Sequence, residues 1–226
     1  LSLKFENNIS SYLDTLFISH NMIAGLPDDY KENHLQADGK YAIDLSYPSF
    51  YPFMEYAESD SLRKLLRYMF LNKGMPQNLS ILSEILANRK SLSELLNYSS
   101  FSALIIEEGM AKSTEAVWKF ENDLIEKIQP KAKWDTEQLL QLKYDTIEGN
   151  GKTITDWQKD YYENQLLLKK HRVDSEEVKQ YFQVDNVIEG LFAISSLLFD
   201  IKFREIENPS VWHPDVRMFE LKEKSD

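Results

Sequence analysis

Between Gly39 and Ala57 the chain reads GKYAIDLSYPSFYPFMEYA, and no other stretch restricts the fold as much. Tyr41, Ile43 and Leu45 alternate with Lys40, Ala42, Asp44 and Ser46, a period of two that predicts a short strand buried on one face. Pro48 and Pro52 forbid a regular ladder beyond it, while Phe53, Met54, Tyr56 and Ala57 resume at helical spacing behind a proline that sets a compatible backbone angle. A strand therefore breaks straight into a helix. Almost everything else reads as amphipathic helix, so the strand needs a distant partner, and the other good candidate is Val216 to Leu221. The expectation is a mainly α, multi-helix domain with one minor antiparallel β element that pairs strands near 40–46 and 216–221.

The helices follow from apolar periodicity and its punctuation. A first helix is predicted over Leu3 to Ala24, with Phe5, Ile9, Tyr12, Leu13, Leu16 and Phe17 as its stripe and Gly25-Leu26-Pro27 as its end. Asp28 and Asp29 cap a shorter helix through about Ala37, and Ser59 or Asp60 caps one carrying Leu62, Leu65, Leu66, Met69 and Phe70. Leu79 to Leu96 holds the helical period through Leu82, Ile85, Leu86, Leu92 and Leu95. Further helices are predicted over Ala103 to Met110, from Ser113 to an interruption at Pro130, and from Trp134 to Ile147. Asp156 to Lys170, Asp174 to about Phe182 and the apolar run Val184 to Phe199 complete the set, with Gly149-Asn150-Gly151 as the most flexible spot.

Charge and residue usage exclude several function classes. With 37 acidic against 26 basic residues in 226, the formal net charge is -11, the wrong sign for a phosphate-binding surface, so no nucleic-acid partner is expected. The absence of cysteine rules out disulfides, cysteine-ligated zinc and thiol catalysis. No apolar run reaches membrane-spanning length and no signal-peptide core opens the chain, so no membrane association is expected.

The motifs that imitate catalytic sites fail on spacing. Gly151-Lys152-Thr153 resembles the end of a phosphate loop, but that loop needs glycine where this chain has Thr146, and a surface turn is expected. His20, His34, His171 and His213 are scattered, no two at the separation of a helix-borne zinc pair, and there is no HExxH. Neighbouring acids such as Asp28-Asp29, Glu107-Glu108 and Glu176-Glu177 diverge on a helix and belong to solvated faces. No serine sits in a nucleophile elbow. The residues alone display no catalytic machinery, and composition alone also allows a non-catalytic helical protein-interaction module.

Six short blocks in order resemble the central part of the thimet oligopeptidase family of zinc metallopeptidases, bacterial peptidyl-dipeptidase and oligopeptidase A above all. They are Ala24-Gly25-Leu26-Pro27, the Gly39 to Ala57 stretch, Met110-Ala111-Lys112-Ser113 with Glu115, Trp157 with Tyr161-Tyr162, Val187 to Phe199, and Val211-Trp212-His213-Pro214-Asp215-Val216 with Phe219-Glu220. The chain departs from the family pattern at Gln158, where aspartate is usual, and at Phe70-Leu71-Asn72-Lys73, where a basic tract is usual.

The resemblance implies a parent enzyme that cleaves oligopeptides in the cytoplasm. Its zinc polarises the scissile carbonyl and activates water, with the glutamate of an HExxH helix as general base. That helix and the third ligand follow the Trp-His-Pro-Asp-Val block in the family, so residues 1–226 are expected to be a helical central segment upstream of the zinc-binding part. The segment is expected to hold no catalytic, cofactor or metal residue, to be inactive alone, and to supply a wall of the substrate cleft. Its candidate cleft or structural positions are Tyr161, Tyr162, Trp212, His213 and Asp215, with a structural role favoured for His213. The aromatic set Tyr47, Phe50, Tyr51 and Phe53 is expected to be core in preference to peptide-binding surface.

Overall fold

The structure, a computed structural model, describes residues 1–146 and 153–223. Gly149-Asn150-Gly151 and the first two residues of Gly151-Lys152-Thr153 lie outside the described residues. The chain divides into two units, Leu1–His171 and Arg172–Asp226. The fold is mainly α, with two small antiparallel sheets among the described residues.

In the first unit, α1 (Ser2–Ser10) leads into strand β1 (Thr15–Ile18), then α2 (Asp28–His34), strand β2 (Tyr41–Asp44), α3 (Tyr47–Tyr56), α4 (Asp60–Leu71) and α5 (Gln77–Leu95). A short α6 (Phe101–Glu107) precedes the long α7 (Thr114–Thr146), and α8 (Asp156–Leu166) closes through a π turn over Leu167–His171. The strand predicted near 40–46 forms, but its partner is β1 and not the C-terminal segment, with Leu16 opposite Ile43 and Ile18 opposite Tyr41. Thr15–Ile18 alternates in burial, Leu16 and Ile18 inward and Phe17 outward, yet its apolar positions also fit a helical period, which hid it inside the predicted first helix. Asp14 marks the break, its carboxylate accepting a 2.9 Å hydrogen bond from the Thr15 amide.

The core lies where the Gly39 to Ala57 stretch crosses from strand to helix. Tyr41, Ile43 and Leu45 from the strand, Phe50, Phe53, Met54 and Ala57 from α3, and Leu66 from α4 are buried together with Leu16, Ile18, Ile23 and Leu26. Full burial of a side chain such as Phe50 or Phe53 contributes about 1.5–3 kcal/mol. The expected aromatic core holds for Phe50 and Phe53, both 0% exposed, whereas Tyr47 and Tyr51 are on the surface. Helix period decides this split: Phe50, Phe53 and Met54 share one face of α3.

In the second unit α9 (Ser175–Lys179) is capped by Asp174, and α10 (Val184–Phe199) ends at Asp200, whose φ of 54° turns the chain left-handed into a strand. That strand, β3 (Ile201–Glu205), pairs antiparallel with β4 (Phe219–Glu223). The expected C-terminal strand therefore exists two to three residues later than Val216 to Leu221 and pairs locally. Phe203 stacks on Phe192 of α10 at 4.3 Å and Phe219 meets the same ring edge-on at 4.7 Å, which fixes this sheet against its own helix.

Candidate functional site

A polar network in the first unit joins α4 to α8. Ser59 caps α4, its hydroxyl accepting from the Leu62 amide, and helical spacing then sets Asp60 and Arg63 on one face. Arg63 is 1% exposed. Its guanidinium donates to the carbonyl oxygens of Ala57, Glu58 (3.1 Å) and Trp157 (3.3 Å) and to Asp60 Oδ1 (3.1 Å). Across the joint, Trp157 Nε1 donates to Asp60 Oδ2 at 3.1 Å and Gln158 Nε2 to Asp60 Oδ1 at 2.8 Å. Lys143 of α7 donates to Gln158 Oε1 and to the Thr153 carbonyl, each at 2.9 Å, so three helices meet in one network. Beside it Arg67 grips Asp156 with two hydrogen bonds of 2.5 and 2.8 Å, and that partner raises its pKa.

Tyr161 and Tyr162 belong to this joint. The Arg63 guanidinium lies 4.1 Å from the Tyr161 ring centroid, and Tyr162 is 1% exposed with its ring edge-on to Tyr161 at 5.3 Å. Burial pushes the Tyr161 phenol pKa up against the opposing charge of Arg63, and burial lowers that of Arg63 against Asp60 and Tyr161. Both departures from the family pattern acquire partners: Gln158 bridges Asp60 and Lys143, while Lys73 donates to the Leu45 carbonyl at 3.2 Å and lies 4.0 Å from the Phe70 ring.

Trp212, His213 and Asp215 form the return between β3 and β4 in the second unit. The Asp215 amide donates to His213 Nδ1 at 3.3 Å, the Asp215 carboxylate lies 3.6 Å from the same nitrogen, and the Val216 amide donates to the His213 carbonyl at 3.1 Å. Trp212 is 87% exposed. Arg217 anchors the return by two hydrogen bonds, 2.8 and 2.7 Å, to Glu205.

His20 Nδ1 is engaged with Tyr41 Oη at 3.1 Å, and His34 bridges the Tyr30 carbonyl (2.7 Å) and Ser49 Oγ (2.9 Å). Among the described residues no group of three His, Asp or Glu side chains converges on a point, so this set does not fit a zinc centre. The α4–α8 joint offers rigid positioning in place of a nucleophile and base within reach of one another.

Asp60 and Arg63 were absent from the sequence candidates. Their i, i+3 spacing was the readable sign; Asp60's bond to Gln158, 98 residues on, has none.

A family model described as peptidase family M3 matches residues 53–226. Saccharolysin of Saccharomyces cerevisiae is 28% identical over 230 residues, covering 96% of this chain and 32% of that protein. Thimet-like oligopeptidase of Dictyostelium discoideum and oligopeptidase A of Haemophilus influenzae are each 28% identical across 100% of this chain and 35% of their own length. The chain thus spans about a third of the length of the curated relatives it matches. With the match running through α4, the α4–α8 joint and the β3–β4 return, this chain belongs to peptidase family M3.

Proposed function

We propose that this chain is the helical central segment of a zinc metallopeptidase that cleaves oligopeptides, and that it supplies a wall of the substrate cleft. The observation that carries this reading is the M3 match over residues 53–226, supported by relatives named as oligopeptidases. Zinc and its HExxH helix belong, on this reading, to sequence outside these residues, and no step of the chemistry is routed through the histidines here. The α4–α8 joint holds Tyr161 and Tyr162 in place, and the β3–β4 return carries Trp212, His213 and Asp215 as cleft or framework positions. The cytoplasm is the proposed compartment; no described helix is long and apolar enough to cross a membrane.

A second reading, a non-catalytic helical interaction module, draws on the exposed apolar side chains Val187, Leu191, Ile194, Leu197 and Leu198 of α10. One experiment separates them: assay the polypeptide encoded by the whole reading frame on a quenched oligopeptide, with and without a chelator. The peptidase reading predicts chelator-sensitive cleavage, with an HExxH helix within about a hundred residues after Asp226. An inactive polypeptide without that helix leaves the interaction module.

A further inference from the structure

Between α7 and α8, within the first unit, lies an open groove of about 550 Å³, a volume in the range of small-ligand sites. Leu139 and Leu166 line its base and Trp134, 49% exposed, forms a wall. Two ammonium groups converge on that indole, Lys131 Nζ at 5.0 Å and Lys170 Nζ at 5.3 Å from the ring centroid. Their surroundings differ. Lys131 is matched by Asp135, which accepts from it at 2.5 and 2.7 Å, and the other carboxylate of the groove, Glu163, pairs with Lys159 at 3.4 Å. Lys170 instead donates to a neutral acceptor, Gln138 Oε1, at 3.0 Å, and among the described residues no carboxylate pairs with it.

The backbone under Lys170 is also unusual. α8 widens at Leu167–His171 into a π turn, a rare geometry that recurs at functional sites, and Lys170 and His171 of this turn line the groove. In a chain of net charge -11, an unmatched ammonium beside an exposed indole and an apolar base is complementary to one anionic group attached to an apolar body.

We infer that this groove binds a small carboxylate with an apolar body, about the size of an N-blocked aliphatic amino acid. The carboxylate accepts from Lys170 and the body lies along Trp134, Leu139 and Leu166. This inference stands apart from the peptidase reading, since it uses residues of this chain alone.

The test is an NMR titration of the 226-residue chain with N-acetyl-leucine and with N-acetyl-leucinamide, which lacks the carboxylate. The Trp134 indole N–H resonance, assigned with Trp134→Phe, is expected to shift saturably with the acid, and the amide to bind about tenfold more weakly. Lys170→Gln is expected to weaken the acid about tenfold and leave the amide unchanged, while Lys119→Gln, on α7 outside the groove lining, alters neither. Equal affinities for acid and amide, an unaltered Lys170→Gln variant, or a Trp134 resonance that stays still under the acid would overturn it.

Discussion

Arg63 has almost no contact with water, and its removal strands the carbonyl oxygens of Ala57, Glu58 and Trp157 together with one face of Asp60. Arg63→Met is expected to cost about 3 kcal/mol, read as a lower urea midpoint at unchanged slope. A loss below about 1 kcal/mol would show that the joint is incidental to the fold. A second residue-scale prediction concerns Asp44. Partial burial works to raise its pKa, but hydrogen bonds from the Ser46 side chain and amide and from Ser49, with the charge of His34, hold it below the ordinary value. A depressed carboxylate stabilises the fold above its unfolded value near 4 and loses that contribution as pH falls through the folded one. Asp44→Asn should therefore flatten the acid limb of the stability curve below about pH 4, and an unchanged limb would assign the acid sensitivity elsewhere. Such residues were only half legible. Asp60 and Arg63 announce themselves by spacing within one helix, but the selection of Gln158 and Trp157 as partners is made by how α8 crosses α4.

At the scale of elements, the loop Gly25-Leu26-Pro27 shows why a short motif carries weight. Gly25 has φ +85°, and a Cβ there would collide with the Tyr56 carbonyl oxygen and come within 2.9 Å of Glu58 Cγ. The Glu58 amide donates to the Ala24 carbonyl at 3.0 Å, so this loop is clamped against the junction of α3 and α4. Gly25→Ala is expected to destabilise by about 2 kcal/mol or more in thermal or urea unfolding, whereas Gly39→Ala, with φ +80° but nothing within 4 Å of its Cβ, suffers the backbone term alone. Equal losses at the two glycines would contradict the clamp. The loop was legible as a turn, but it does not end the predicted helix: α1 stops at Ser10, and β1 lies between it and Gly25. Leu16 and Phe17 continue the helical period of Phe5, Ile9, Tyr12 and Leu13, yet pairing with β2 makes Thr15–Ile18 a strand. Pro130 is the opposite case: it reads as an interruption, yet α7 runs unbroken from Thr114 to Thr146. Residues 126–132 are exposed, so water satisfies the carbonyl whose donor proline lacks. Pro130→Ala is accordingly expected to raise the thermal midpoint, and a fall would mean that the proline shapes α7 in a way the fold needs.

For the whole molecule, fold class and family were readable because the order of blocks survives where single motifs are weak, and strand pairing was not, because β1 was hidden in a helical period and β2 and β4 each pair with a nearby strand in place of one another. On the reading proposed above, this chain is framework for a peptidase and does not itself hold the metal. Its four histidines are spread over two units, two of them hydrogen-bonded inside the first unit's fold, and no three ligating side chains converge among the described residues. The most direct measurement is calorimetric titration of zinc into the isolated chain. Weak heats without a defined stoichiometry are expected, as on any acidic surface. Saturation at one zinc per chain with tight affinity would contradict this reading, because such a site needs three convergent protein ligands.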